Sequence, residues 1–119
     1  MFIKVTEDYP AKTTVEKKIL GKYFKQNPPY HKVKVLLVWR RKIDYAYISK
    51  FRNLKAVIRY GVGFDNVDLK VLKKRKIMLF NNPIYGVDEV SDTSLAMALN
   101  FCRRVGNYNQ LTKKILNKK

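Results

Sequence analysis

Two glycines, Gly61 and Gly63, stand where an apolar run gives way to a helical one. The segment reads Arg59-Tyr60-Gly61-Val62-Gly63-Phe64-Asp65-Asn66-Val67-Asp68, after Leu54-Lys55-Ala56-Val57-Ile58 and before Leu69-Lys70-Val71-Leu72. Lacking Cβ atoms, such a turn can bend tightly and let a ligand approach its backbone. Its unpaired N–H groups can hold a carboxylate or a phosphate. Gly61-x-Gly63-x-x-Asn66 also looks like a dinucleotide fingerprint, but Asn66 stands where a third glycine would permit close helix–strand packing. Asp88 lies at a suitable distance for a ribose carboxylate. It falls well past the next strand run, Ile77 to Phe80, and not at its end. Anion binding is the chemistry expected of this turn; a dinucleotide cradle is not.

A second segment, Asn81-Asn82-Pro83-Ile84-Tyr85-Gly86-Val87-Asp88-Glu89-Val90-Ser91-Asp92, follows that strand run and precedes a long apolar helix. Together the two segments resemble the substrate-binding domain of the D-isomer-specific 2-hydroxyacid dehydrogenases. Phosphoglycerate dehydrogenase-like enzymes and the C-terminal-binding-protein branch belong to that family. Its pattern is R-Y-G-V-G-x-D-N-V-D, a spacer, then N-x-P-x-Y-G-V-x-E-V-A-D, and the chain follows it from Leu54 through Arg104. The N-terminal half is similar in pattern only, through Val35-Leu36-Leu37-Val38 and Lys42-Ile43-Asp44. Lys76 replaces the glycine usual before the strand, at an expected strain of about 1 kcal/mol. Ser91 replaces an alanine.

The resemblance implies a set of roles. Family substrates offer a carboxylate to the backbone N–H groups of the turn, which assigns substrate binding to Gly61, Val62 and Gly63. Val62 would also lie near the cofactor. Tyr60 and Asn81 would flank the cleft, as contacts or as turn architecture. Tyr85 and Gly86 would shape the entrance to the last helix. Trp39 and Arg40 lie where family members place specificity residues. Arg40 could pair with a substrate carboxylate or phosphate, or belong with Arg41 and Lys42 to a solvated run. The cofactor implied is NAD, supplied in trans, because neither the family's complete fingerprint nor its catalytic arginine, glutamate and histidine has a counterpart here. The sole histidine, His31, lies outside every family motif and is read as solvated. No catalytic residue and no metal ligand set is assigned.

The elements that must position these residues alternate. Strands are expected at Phe2 to Val5, Val33 to Trp39, Lys55 to Arg59 and Ile77 to Phe80, with a short one around Tyr30 to Lys32. Helices are expected from Thr14 to Phe24, with Val15, Ile19, Leu20, Tyr23 and Phe24 on one stripe, and from Asp44 to Phe51. Another should run from an N-cap at Asp68 to Arg75, and Asp88 and Glu89 should open the last one. Such alternation argues a parallel sheet with helices on both faces. The resemblance makes it a flavodoxin-like, doubly wound sheet of about five strands, ending in a long interdomain-type helix. Ligands of such sheets bind beyond the C-terminal strand ends, where the glycine turn and Asn81 fall. Residues 1–105 are expected to form the substrate-binding domain and 106–119 a basic tail or helix extension, with the NAD-binding domain absent.

From Val90 to Val105 apolar groups surround most of the helix, where a surface helix would show one stripe. This segment is expected to be buried on more than one side, in a homodimer or against a separate NAD-binding chain. At 119 residues the chain suits one domain. Its 26 basic and nine acidic residues give a formal charge of +17. The lysines are spread over the whole length and no aromatic platform interleaves with them, so a solvated basic surface is expected rather than a nucleic-acid site. No run is long and apolar enough to cross a membrane, and the lone Cys102 is read as a buried thiol in a cytoplasmic protein. The function expected is the substrate-binding part of an NAD-dependent D-2-hydroxyacid dehydrogenase acting on a small 2-hydroxy or 2-oxo acid. In that reading the chain is truncated or split, and inactive alone. The alternative is a non-catalytic binding module that keeps the fold.

Overall fold

The computed structural model describes residues 1–10 and 12–117. The chain divides into two units, Met1–Tyr85 and Gly86–Lys119. The first contains β1 (Phe2–Val5), α1 (Thr14–Leu20), β2 (Val33–Val38), α2 (Tyr45–Ile48), β3 (Ala56–Arg59), α3 (Leu69–Lys74) and β4 (Met78–Phe80). The second contains α4 (Val87–Arg103) and α5 (Val105–Leu116), separated by Arg104 in the left-handed conformation at φ 51°.

β2 is apolar from Val35 to Val38, where it is covered on both faces: Leu36, Leu37 and Val38 are buried, as is Val33 beyond the exposed Lys34. It pairs in parallel with β1 through Ile3–Val35 and Lys4–Leu36, and with β3 through Leu36–Val57 and Leu37–Ile58. β4 adds in parallel to β3, so the sheet order is β1-β2-β3-β4. A fifth strand is reduced to one parallel bridge between Phe24 and Ile3 on the other edge of β1. The chain therefore steps outward past β1 through α1 and then reverses toward β2, β3 and β4. Right-handed crossovers in opposite directions place their helices on opposite faces, which makes the sheet doubly wound. The strand expected at Tyr30 to Lys32 is instead a 3-10 turn. Pro28 and Pro29 hold the chain just before it, and the extra strand position is taken by Phe24.

Local chemistry fixes the helix starts. Asp44 accepts the Tyr47 N–H at 2.9 Å and caps α2. Asp68 accepts the Val71 N–H at 3.1 Å and caps α3. Lys76 ends α3 at φ 53°, in the left-handed position that glycine usually fills, while Ile77 N–H reaches back to the Leu72 carbonyl at 2.9 Å. The next residue back, Arg75, donates to the carbonyls of Ile48 and Phe51 and closes the open end of α2.

The core lies on the α2–α3 face. Phe51, Ile43 and Ile48 are fully buried against Leu36, Val38 and Val57, with Leu79 packed alongside. Phe51 meets Tyr30 edge-on at 5.0 Å and Tyr47 at 5.5 Å, so truncating it to alanine would cost about 3–5 kcal/mol. On the other face α1 does not lie as its apolar spacing suggests. Val15 and Ile19 are exposed, and Glu16 is the buried residue of the helix. The residues of β4 that alternate with Leu79, Met78 and Phe80, are exposed as well.

In the second unit, Leu95, Met97, Leu99 and Phe101 are all exposed, as expected of this helix where no partner covers it. Cys102 is exposed too, which corrects its reading as a buried thiol. Residues 105 to 116 continue as helix α5. No described helix is long and apolar enough to cross a membrane.

Candidate functional site

β3 ends at Arg59, and its last hydrogen bonds pass into the turn: Tyr60 N–H donates to the Val38 carbonyl at 2.8 Å. Gly61 then adopts φ +129°, a conformation closed to ordinary side chains. A Cβ there would collide with the Arg59 guanidinium. Gly63 differs, because its φ lies outside the left-handed range and a Cβ would meet only the Asp65 carboxylate at 3.2 Å. The far side of the turn is held from the end of β4. Asn82 N–H donates to the Gly61 carbonyl at 3.1 Å, and Asn81 Nδ2 donates to the Val62 carbonyl at 2.7 Å. Among the described residues, the N–H groups of Val62 and Gly63 donate to no acceptor in the chain.

A cavity of about 420 Å³ opens beside this turn, lined among others by Trp39, Arg59, Tyr60, Gly61, Asn81 and Tyr85. The structure thus brings Tyr60, Gly61 and Asn81 together. Val62 and Gly63 follow on the exposed part of the turn. Arg40 is placed elsewhere: it lines a separate basic cleft with Arg41, Lys42 and Lys50, and its N–H donates to Asp8 at 2.7 Å. Only its guanidinium reaches back, lying 5.6 Å from the Trp39 ring.

Arg59 is the residue that motif reading passed over. Its guanidinium lies beside Gly61 and 5.7 Å from the Trp39 ring, and its Nε is buried without a hydrogen-bond partner. The available signal was an arginine at the last position of a strand entering a glycine turn. A planar cation at the start of a turn that carries free backbone N–H groups suits a carboxylate.

Tyr60 is fixed from its side chain. Its hydroxyl donates to Glu16 Oε1 at 2.9 Å, and its ring stacks on Tyr9 at 5.1 Å. Burial, and then the hydrogen bond to Glu16, raise the hydroxyl's pKa, so Tyr60 stays protonated and donating at neutral pH. Tyr9 is raised in the same direction by burial and by the charge of Glu16. A related cluster lies on the core side. Burial opposes ionisation of Glu7, but its own backbone N–H, Lys4 and the Tyr47 hydroxyl hold its carboxyl below the usual range.

A dinucleotide cradle is not formed by the described residues. Asn66, at the third fingerprint position, donates to the Arg41 carbonyl at 2.8 Å and so ties two loops together. Ile43 and Asp68 complete that tie through backbone bonds. The helix that follows begins only at Leu69, and the carboxylate of Asp68 already occupies its N-terminal donor. A pyrophosphate would meet a negative charge where it needs free N–H groups. Among the described residues no group of three metal-ligating side chains occurs. His31 is exposed and remote from the turn residues, with its carbonyl accepting from Asn53.

Known proteins are similar to this chain in sequence and fold. The D-isomer specific 2-hydroxyacid dehydrogenase catalytic domain matches the chain over residues 10–118. A glyoxylate/hydroxypyruvate reductase B of Enterobacter sp. (strain 638) is 39% identical over 70 residues, which cover 59% of this chain and 22% of that protein. The D-lactate dehydrogenase of Aquifex aeolicus, solved with NAD and lactic acid, superposes with a TM-score of 0.80 at 22% identity, over 97% of this chain and 38% of its own. The NAD+-bound 3-phosphoglycerate dehydrogenase of Entamoeba histolytica gives 0.66 at 23% identity, over 84% of this chain and 38% of its own. The chain therefore spans well under half the length of these proteins. Its glycine turn, its parallel sheet and this match over most of its length place it in the D-isomer-specific 2-hydroxyacid dehydrogenase family, as a catalytic-domain member.

Proposed function

We propose that this chain is the substrate-binding part of an NAD-dependent D-2-hydroxyacid dehydrogenase and holds the carboxylate of a small 2-hydroxy or 2-oxo acid at the glycine turn. The observation that carries this reading is a glycine turn whose Val62 and Gly63 N–H groups are unpaired and whose first glycine, Gly61, lies against the Arg59 guanidinium. Two N–H donors and a planar cation can share the two oxygens of one carboxylate. Trp39 and Tyr85 give the cavity apolar walls for the rest of a small acid. The net charge of +17 favours encounter with anions at low salt.

Hydride transfer requires a cofactor domain supplied in trans, and Val62, exposed on the turn, is the position proposed to touch the cofactor held there. The exposed apolar residues of α4 are proposed as the surface for that domain or for a second copy. Backbone resonance titration with glyoxylate, pyruvate and lactate provides the test. Shifts should concentrate at Arg59 to Gly63 and at Asn81, with none at His31, and the chain alone should not oxidise NADH. Absence of shifts at the turn at high ligand concentration would defeat the reading, and turnover by the chain alone would overturn the need for a second domain.

A further inference from the structure

Glu16 is the one residue of α1 that is buried, although the helix carries Val15 and Ile19. These apolar neighbours are 62% and 74% exposed, against 8% for Glu16. A helix docked by hydrophobic burial alone would be turned the other way. A buried carboxylate is costly unless its oxygens are hydrogen-bonded. Here Oε1 receives the Tyr60 hydroxyl at 2.9 Å, while Oε2 is buried with no partner. An acid that is only half satisfied is a poor device for stability. What it does accomplish is to reach across 44 positions of sequence and fix the residue that leads into Gly61.

The neighbouring contacts act on Tyr60 or on the turn it leads into. Tyr9 stacks on the Tyr60 ring at 5.1 Å with an interplanar angle of 26°. Tyr9 in turn meets Trp39 edge-on at 6.2 Å. The Tyr60 N–H is held by the Val38 carbonyl. Asn81 and Asn82 restrain the other end of the turn through the carbonyls of Val62 and Gly61. The side chain of Tyr60 is thus the counterpart of these asparagines, on the side where the strand enters.

We propose that Glu16 is a positioning residue for the glycine turn: by holding the Tyr60 hydroxyl it fixes the direction in which the Val62 and Gly63 N–H groups point, and so sets the anion site on which the preceding reading rests. The acid never touches the ligand. It acts from α1, outside both motifs of the chain, through its hydrogen bond to Tyr60, with Tyr9 close enough to feel its charge. A turn whose donors are already aimed loses less freedom on binding and holds its ligand more tightly.

The test uses the full chain and the variants Glu16→Ala, Glu16→Gln, Tyr60→Phe and the double variant Glu16→Ala/Tyr60→Phe. Thermal unfolding, backbone amide resonances and glyoxylate titration are read together. Glu16→Ala and Tyr60→Phe should each weaken glyoxylate binding about tenfold, the scale of the freedom a released turn must give up on binding. Both should move the amide resonances of Gly61, Val62 and Gly63. Glu16→Gln keeps an acceptor oxygen and should restore binding to within about threefold of the parent. The double variant should bind no more weakly than the weaker single one, because both remove the same bond. Folded Glu16→Ala with unchanged titration and unchanged turn amides would overturn the proposal. If Glu16→Ala does not fold, Tyr60→Phe removes the same bond by deleting a single oxygen and decides the matter. Should the parent fail to bind glyoxylate, the carboxylate reading falls. The amide resonances would still decide the role of Glu16: displacement confined to the turn supports it, and no displacement refutes it.

Discussion

The side-chain amide of Asn81 donates to the carbonyl oxygen of Val62 at 2.7 Å, which ties the end of β4 to the outer part of the glycine turn. The first residue after one strand thereby shapes the loop after its neighbour. Asn81→Ala should leave the Val62 peptide free to rotate. Binding of glyoxylate should weaken several-fold, and stability should fall by about 0.5–1.5 kcal/mol, the net worth of one exposed hydrogen bond. Urea unfolding and resonance titration of the same sample check both. A variant that loses stability but binds as the parent would show that the turn keeps its shape without Asn81.

The two glycines should behave differently. Gly61→Ala forces a side chain into φ +129° and against the Arg59 guanidinium. It should cost about 1–3 kcal/mol and abolish carboxylate binding. Gly63→Ala meets only the Asp65 carboxylate at 3.2 Å and should fold with nearly parental stability. Equal melting points for the two variants would contradict the difference in backbone conformation.

Lys76 occupies a left-handed position, φ 53°, that closes α3. A side chain there costs about 1–2 kcal/mol, while glycine gives back part of that as unfolded-chain entropy. Lys76→Gly should raise stability by about 0.5–1 kcal/mol. Its denaturant midpoint should rise with no change in slope. A lower midpoint would mean that the Lys76 side chain makes a contribution larger than its strain.

Glu7 gives the fold an acid limit. Its carboxyl titrates below the usual 4.5 in the folded chain, so between the folded and unfolded pKa values the unfolded chain binds more protons. The stability it contributes is present above 4.5 and is lost as pH falls through the folded value. Glu7→Gln should be less stable than the parent at neutral pH, and the gap should close in acid. Melting curves from pH 7 to pH 2 measure this directly. A constant gap would assign the loss to packing rather than ionisation.

What the amino-acid sequence disclosed depends on how far each interaction reaches. Asp44 and Asp68 cap helices through N–H groups three residues away, and both roles follow from local spacing. The left-handed position of Lys76 was legible for the same reason. Gly61 was legible as a special backbone position, whereas the ordinary φ of Gly63 was not, because glycine permits both. The pairing of Tyr60 with Glu16 spans 44 positions and leaves no local pattern. The periodicity of α1 misled outright: Val15 and Ile19 have helical spacing, yet it is the acid between them, Glu16, that is buried. Phe24 is an edge strand of one residue, too short to produce alternation. Arg40 was expected among the specificity residues by resemblance, or in a solvated run with Arg41 and Lys42; it lines the neighbouring cleft with them, and its guanidinium lies 5.6 Å from the Trp39 ring.

The shrinking of that edge strand to the single bridge at Phe24 has a consequence for the chain in a crowded solution. An outer strand with so little cover is a template on which other chains can polymerise. β1 carries a safeguard at that place. Lys4 points inward, buried beside Glu7 at 3.0 Å and bonded to the Gln26 carbonyl at 3.4 Å. A foreign strand adding along β1 would displace the segment that solvates this ammonium and strand a charge in the new interface. The lysine that looks out of place in an apolar strand thus makes strand addition at this edge of the sheet costly.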